Sequence, residues 1–387
     1  MQAVILAGGE GWRLRPLTKN RPKALIPVGN RPIIDYVIDA LLEAGVRDIT
    51  VVVGYRKEQV IRHLNTLDHE VNVVVQERQL GSAHALACAM PKIHDTTLVL
   101  SGDNYIDTAS VLMMQGKENA IRVTPSISPV HYGVVTVNNG LVTSFVEKPE
   151  EKGIALVSSG LYLFTPEVIR SIQERELPEL LNRLIAEKVP IRAIEGGEWG
   201  DAIHAWDLIS QNNHLLRLTT PGRSGTISRL ATITGKVSIG PRSSIGPGTV
   251  ITGPVRIGED TTIGPNVVIG PDVSIGDRTV IEPFSYLKSS IIMDDVRIGS
   301  HSRIADTTIG DGCSIGDHLS TITGEGYFGL GEGEAKVFHR GRFGAILGDN
   351  VTIGSSVVLN ACIIGNNSTV RSGRRLDGEI PDGSRVI

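Results

Sequence analysis

Six cations crowd one short stretch of this chain. Arg13, Arg15, Lys19, Arg21, Lys23 and Arg31 share residues 10 to 34 with a single acid, Glu10. Gly8, Gly9 and Gly11 stand immediately beside them. Glycines let a backbone turn tightly and bring its N–H groups against a ligand, and the cations add charge behind them. In a chain of formal net charge −4, that concentration reads as a site for a polyanion, with phosphate the natural candidate. A basic surface loop with ordinary turn glycines is the alternative. A dinucleotide fingerprint would need glycine where Leu14 stands, and the Gly-Lys-Ser/Thr of a P-loop occurs nowhere. A second chemical position is Asp103, which follows the apolar run Thr97 to Leu100 through Ser101-Gly102. Magnesium takes one or two protein carboxylates plus phosphate oxygens, which suits Asp103 as a ligand, a capping aspartate being the alternative.

The elements that must hold these residues follow from periodicity. The run Ala3 to Leu6 reads as a first strand, so the glycine loop leaves its carboxyl end, where open α/β sheets place their ligands. Ile33 to Ala44 has helical spacing and stops at Gly45. Ile49 to Val53 and Val71 to Val75 read as strands, and Glu58 to Leu64 between them as a helix. The segment Gln76 to Ala85 leaves a strand and enters a helix, and Asn139-Gly140 within Val134 to Val146 marks a hairpin. This alternation predicts an α/β, Rossmann-like domain over residues 1–220, with a mostly parallel sheet covered on both faces. Its last helix spans about Ala205 to Leu218, and Thr219 to Gly225 has linker composition.

Residues 226–387 change character. Ile227, Ile233, Ile239, Ile245, Ile251, Ile257, Ile263, Ile269, Ile275 and Ile281 recur at a spacing of six, and Leu287 and Met293 extend the series. A hexapeptide period with glycine often following the aliphatic residue is the signature of a parallel β-helix, each coil made of three short strands. At about 18 residues per coil, this region less its long interruption holds roughly seven coils. The period slips between Ile304 and Ile309, lapses from His318 to Phe343 and resumes at Ile346.

Composition bounds the rest. A length of 387 residues predicts two or three domains, and 41% hydrophobic with 21% charged residues is ordinary globular composition. There is no basic-then-apolar leader and no apolar run long enough to cross a bilayer, so a cytoplasmic protein with no membrane and no nucleic-acid partner is expected. Cys88, Cys313 and Cys362 are scattered and lack CxxC spacing, which argues against a disulfide framework or a zinc site.

The string from Leu6 to Leu25, LAGGEGWRLRPLTKNRPKAL, resembles the signature LAGGxG(T/S)RLxPLTxxxPKxL of sugar-1-phosphate nucleotidylyltransferases. Trp12 stands where that family usually has a hydroxyl. The resemblance implies transfer of a nucleotidyl group from an NTP to a sugar 1-phosphate, with Mg2+. It implies nucleotide binding by Leu6, Ala7, Gly8, Gly9, Gly11, Gln76, Gly81 and Ser82, with Gln76 and Gly81 reading a pyrimidine, hence UTP or dTTP. Arg13 would stabilise the departing pyrophosphate and Lys23 bridge the phosphates. Asp103 and Asp201, the latter in Trp199-Gly-Asp201-Ala-Ile203 where the family has glycine at the last position, would bind the metal. Val146-Glu147-Lys148-Pro149 matches the family's EKP, whose Glu contacts sugar hydroxyls and whose Lys pairs with the sugar phosphate. Gly133, Ser159 and Gly160 match further sugar contacts, although Ser158 replaces an asparagine that orients the hexose. A scaffold that binds a sugar nucleotide without turning it over is the alternative from another class.

The repeat resembles hexapeptide-repeat proteins, which implies a left-handed β-helix and a homotrimer or dimer of trimers. The whole-chain order resembles archaeal-type sugar-1-phosphate nucleotidylyltransferases, including those that are also acetyltransferases and use acetyl-CoA. In those, a base takes a proton from the acceptor amine, and His301 and His318 are the candidates beside His339. The bifunctional His-Leu-(Ser/Thr/Asn)-Tyr-Val-Gly-Asp string survives only at its ends in His301 to Asp306 and at its beginning in His318-Leu-Ser. The expectation is therefore a β-helix that serves assembly with little or no acetylation, the bifunctional enzyme being the alternative.

Overall fold

The computed structural model describes residues 1–150, 153–330 and 337–387. They form two compact units, the first made of Met1–Glu10, Arg21–Leu25 and Pro32–Asp201, the second of Gly11–Asn20, Ile26–Arg31 and Ala202–Ile387.

The first unit is built on a nine-stranded sheet. Its strands are β1 (Gln2–Ala7), β2 (Ile49–Val53), β3 (Asn72–Val75) and β4 (Thr97–Ser101), then, after the short β5 (Asn104–Ile106), β6 (Ala120–Ser126), β7 (Gly133–Asn138), β8 (Leu141–Glu147), β9 (Ala155–Phe164) and β10 (Arg192–Glu195). The order is β3-β2-β1-β4-β9-β6-β10-β8-β7, and β5 pairs separately with β11 (Trp199–Asp201). Along β1 successive side chains enter opposite cores: Ala3 and Ile5 pack with Val37, Ile38 and Leu41, while Val4 packs with Val52, Leu86 and Val99. A strand buried on both faces needs a continuous apolar run, which is what Ala3 to Leu6 supplies. β1, β2, β3 and β4 are all parallel, with Leu6 level with Val52 and Ser101. The parallel character expected of the sheet belongs to this half. Beyond β4 the strands run antiparallel, except that β10 lies parallel to β6. β7 and β8 form the expected hairpin, with Asn139 and Gly140 both at positive φ as a tight turn demands.

Helices α1 (Ile33–Glu43), α2 (Lys57–Leu64) and α3 (Ser82–Cys88) cover the parallel half, with α4 (Thr108–Met114), α5 (Pro166–Arg170) and α6 (Leu177–Ala186) after them. α1 ends just before Gly45, whose φ of +82° lets the chain leave the helix without a Cβ penalty.

In the second unit parallel strands stack in three rows, and one row carries nine strands from Thr226–Ile227 to Arg385–Val386. This is the stack expected of a left-handed β-helix. Nine strands in a row bound eight coils, about one more than the period alone predicts. The coils also shorten along the stack: Thr262 pairs with Val280, but Val280 pairs with Arg297, a step smaller by a single residue. The row of Ile245, Ile263, Ile281, Ile298 and Ile315 points into the core, each side chain almost fully buried. Full burial stabilises each such side chain by about 1.5–3 kcal/mol, so the stack is held by its repeated aliphatic column. The lapse in the period corresponds to an antiparallel hairpin of Gly324–Leu330 with Val337–Phe343. Helix α7 (Asp207–Leu218) also belongs to this unit, where Asn212 Oδ1 accepts from Ser274 Oγ and from Gly29 N–H, both at 2.8 Å.

Candidate active site

Because β1, β2, β3 and β4 are parallel and in register, the segments leaving their carboxyl ends gather at one edge: Gly8 after β1, Gly54 after β2, Gln76 after β3 and Asp103 after β4. Gly8 is required there by close approach. A Cβ on it would sit 2.8 Å from Gln76 Oε1, and one on Gly54 would sit 2.7 Å from the Gly8 carbonyl. That carbonyl accepts from Tyr55 N–H at 2.9 Å, while Gly9 is open to solvent. Leu6 accepts from Gly102 N–H at 2.9 Å and Ala7 is buried, so the entry to the loop is fixed by the sheet.

Gln76 is buried, and its orientation is set by its neighbours. Its Nε2 lies 3.0 Å from the Gly81 carbonyl, which can only accept, and 2.9 Å from His84 Nδ1. His84 therefore carries its proton on Nε2, and Gln76 presents its oxygen on the Gly8 side. Gly81 has φ +131° and faces the Arg175 carbonyl so closely that no side chain fits. Ser82 turns its hydroxyl to Glu176 Oε2 at 2.7 Å and accepts from Leu177 N–H at 2.8 Å, tying α3 to the start of α6.

Lys23 stands between the two predicted metal ligands. Its Nζ is 2.9 Å from Asp103 Oδ2 and 3.3 Å from Asp201 Oδ1. Burial alone would pull the ammonium pKa down, but Asp103 and Asp201 outweigh it and hold it above the ordinary lysine value. The Asn104 amide lies 2.9 Å from Asp201 Oδ1 and 3.3 Å from Asp103 Oδ1, where it donates once its nitrogen is turned toward them. β5 and β11 bring these groups together by pairing Asn104 with Asp201. Arg122, buried at 1% exposure, braces the approach to β11 by donating to the Gly196 and Gly197 carbonyls at 2.8 and 2.7 Å. Trp199 packs edge-on against Tyr132 with centroids 5.1 Å apart. Two carboxylates already sharing one cation fit magnesium, which draws its remaining ligands from phosphates and water. Among the described residues no cage of three or more His, Cys, Asp and Glu side chains occurs.

The predicted sugar contacts lie on the antiparallel half of the same unit. Gly133 pairs with Glu147, and a Cβ on it would collide with the Phe145 ring. Lys148 follows at φ +46°, donates its N–H to the Tyr132 carbonyl at 3.0 Å, and its Nζ meets Glu147 Oε1 at 3.3 Å on an exposed edge. The β9 ladder is interrupted between Ser158 and Tyr162. There Ser158 Oγ donates to Tyr162 Oη at 3.0 Å and accepts from Gly160 N–H at 3.2 Å. Burial pushes the Tyr162 phenol up to about 12, so it stays neutral. Ser159 is fully buried with its hydroxyl on the Arg122 carbonyl at 3.3 Å. Gly160, at φ +77°, leaves room for Asn104 and Ser101.

Four predicted residues belong to the second unit. Gly11, at φ +72°, opens a turn that carries Arg13, whose guanidinium lies 5.3 Å from the centre of the Trp12 ring. His301 and His318 occupy left-handed turns one coil apart, at φ +57° and +61°, and their rings stack at 5.0 Å, with Phe284 a further 5.0 Å from His301. Both are exposed, and His301 lines a recess of about 620 Å³ with Asp317 and Arg297.

Asn104, His84, Arg122 and Glu176 carry no motif of their own. Only their position within reach of Asp201, Gln76, the loop before β11 and Ser82 marks them.

Comparison with known proteins places this geometry in context. A family model described as "Nucleotidyl transferase" matches residues 2–215, and one described as "GMPPB C-terminal domain" matches residues 251–380. The chain is 34% identical to the "Bifunctional protein GlmU" of Methanococcus vannielii, over 100% of this chain and 97% of that protein. It is 31% identical to the "Low-salt glycan biosynthesis nucleotidyltransferase Agl11" of Haloferax volcanii, over 82% of this chain and 94% of the relative. It is also 31% identical to a "Bifunctional sugar-1-phosphate nucleotidylyltransferase/acetyltransferase" of Sulfurisphaera tokodaii, over 93% and 92%. Among solved structures, a chain from Bacillus anthracis described as a putative glucose-1-phosphate thymidylyltransferase is similar, with a TM-score of 0.51, 25% identity, and coverage of 58% of this chain and 98% of that one.

Proposed function

The chain belongs to the nucleotidyl transferase family, and from that premise we propose that it transfers a nucleotidyl group from UTP or dTTP to a sugar 1-phosphate, glucose 1-phosphate or a close relative, releasing pyrophosphate. The observation that carries this reading is Lys23 held between Asp103 and Asp201 at 2.9 and 3.3 Å, beside the carboxyl ends of the parallel strands. A phosphate oxygen of the sugar is the nucleophile. It is ionised at neutral pH, so no general base is needed, and the work falls to positioning and charge at an in-line displacement on the α-phosphorus. Asp103 and Asp201 would hold Mg2+, whose charge offsets that of the triphosphate when bound. Lys23 neutralises phosphate oxygens, Arg13 the departing pyrophosphate and Lys148 the sugar phosphate. Gly8, Gly9 and Gly11 present backbone N–H groups, and Glu147, Gly133 and the Ser159-Gly160 turn take the hexose. Gln76 offers an acceptor, which matches the N3–H of uracil or thymine and mismatches the bare N3 of cytosine.

Pyrophosphate release from four NTPs against a panel of sugar 1-phosphates tests the reading. UTP or dTTP with glucose 1-phosphate or a relative should be best, and a preference for a purine NTP or for CTP would overturn the base assignment.

Acetyl transfer is a second reading, favoured by full-length similarity to proteins described as bifunctional and by the exposed His301 and His318 pair. Acetyl-CoA would be the donor. Free coenzyme A released only with an amino-sugar 1-phosphate, and lost in His301→Ala or His318→Ala, would establish it; no release leaves the β-helix to assembly. The protein acts on small molecules, as a homotrimer or dimer of trimers, in the cytoplasm. No described helix is long and apolar enough to cross a membrane.

A further inference from the structure

One corner of the β-helix carries a ladder of side-chain acceptors. Asp277 Oδ1 accepts from Glu259 N–H at 2.8 Å, Asp294 Oδ1 from Asp277 N–H at 2.9 Å, and Asp311 Oδ1 from Asp294 N–H at 3.0 Å. Asp349 Oδ1 then accepts from Asp311 N–H at 3.0 Å, Asn366 Oδ1 from Asp349 N–H at 2.7 Å, and Asp382 Oδ1 from Asn366 N–H at 2.8 Å. Each rung needs one oxygen, so aspartate and asparagine serve the ladder equally well. Of these six rungs only residue 366 is asparagine.

The last three rungs explain the difference, because each also holds the segment Gly11–Asn20 of the same unit. Asn366 is 2% exposed, and its Nδ2 donates to the Pro16 carbonyl at 3.0 Å. An aspartate there would set a carboxylate oxygen against a carbonyl oxygen. Asp349 is 4% exposed, and its Oδ2 accepts from Asn20 Nδ2 at 3.0 Å. Asp382 pairs through Oδ2 with Lys19. Donor meets acceptor, acceptor meets donor and anion meets cation at Pro16, Asn20 and Lys19 in turn. Inside the segment, Gly11 O accepts from Leu14 N–H at 2.9 Å and from Thr18 Oγ1 at 3.0 Å. Arg13 lies between these braces.

We propose that Asn366, Asp349 and Asp382 are positioning residues for nucleotidyl transfer. They fix the conformation of the Arg13 loop from coils far along the chain, at the opposite end of the sequence. The inference rests on the reading that this loop handles the nucleotide.

The test uses the full-length protein. Asn366→Asp keeps the ladder acceptor and loses only the donation to Pro16; Asn20→Asp sets two carboxylates together, and Asn20→Asp with Asp349→Asn restores a donor–acceptor pair. Asp294→Asn is the control, a ladder rung two steps before Asp349. Asn366→Asp and Asn20→Asp should keep the wild-type circular dichroism and oligomeric state. They should lose hydrogen-exchange protection over residues 11–20, and kcat for pyrophosphate release should fall on the order of tenfold to a hundredfold, the scale of a small misplacement. KM for the NTP should rise more than KM for the sugar phosphate. The double variant should recover both readouts, and Asp294→Asn should match wild type. Unchanged exchange and kinetics in Asn366→Asp and Asn20→Asp would overturn the proposal, as would no recovery in the double variant. A wild-type protein that releases no pyrophosphate would fail the functional reading alone, since loop protection would still decide whether this corner holds it.

Discussion

Lys23 draws its predicted importance from the two carboxylates it touches. Removing it would take from Asp103 and Asp201 the ammonium they share and would take a preorganised charge from the phosphates. Lys23→Ala should cost on the order of a hundredfold or more in turnover, measured as pyrophosphate release. The raised pKa of Lys23 also fixes a sign. A lysine whose folded pKa lies above its unfolded value contributes stability that is complete below the unfolded value, about 10.4, and is lost as pH rises through the folded one. Lys23 of the metal-free protein thus stays charged across the neutral and mildly alkaline range, and its contribution to stability should hold up to about pH 10. His84 makes a separate prediction. It holds one amide hydrogen of Gln76 at 2.9 Å, so His84→Phe should free that amide to rotate and cut the preference for UTP or dTTP over CTP by about tenfold or more, the worth of about 1–3 kcal/mol of base discrimination. Equal discrimination in wild type and variant would contradict it. Lys23 and Asp103 were legible in the sequence because charge beside a glycine turn, and a carboxylate at a strand end, are local signals. His84, Asn104 and Arg122 were not, since each matters through a partner distant in sequence or shared with no motif.

At the level of elements, the apolar column of the β-helix is the plainest case of sequence deciding structure. Ile275 is 0% exposed and level with Ile257 and Ile292 in the stack. Ile275→Ala should destabilise the protein by about 2–5 kcal/mol in denaturant unfolding, through lost transfer free energy and a cavity between coils. A loss under about 1 kcal/mol would mean the column is not packed as described. Six-residue spacing made this stack readable, as apolar continuity did the parallel strands β1 to β4. The antiparallel half of the sheet was less readable. Whether β9 pairs with β4 and β6 as an antiparallel strand depends on long-range pairing, and its own sequence contains no direction. The shortening of the later coils showed in the sequence only as the slip between Ile304 and Ile309; the earlier drop was hidden because Met293 continues the six-residue count, whereas it is Ile292 that lies level with Ile275 in the core.

For the whole molecule, the β-helix leaves apolar side chains outside as well as in: Val250, Val268 and Ile322 are 39%, 40% and 39% exposed on one row of strands. Symmetric packing of copies would cover such a row, so light scattering should find a trimer or a multiple of it, and a monomer at micromolar concentration would contradict that. The segments Gly11–Asn20 and Ile26–Arg31 belong with the second unit, although they sit near the start of the sequence. No periodicity reveals this, because polar contacts such as Asn366 to Pro16 make the grouping. The central claim, nucleotidyl transfer to a sugar phosphate, is tested most directly by following α-phosphorus label from UTP or dTTP. With Mg2+ and glucose 1-phosphate or a close relative present, label should enter a nucleotide sugar in step with pyrophosphate release, and omitting either should stop it. Label that never reaches a sugar product across the panel, or transfer that persists without sugar phosphate, would contradict the account.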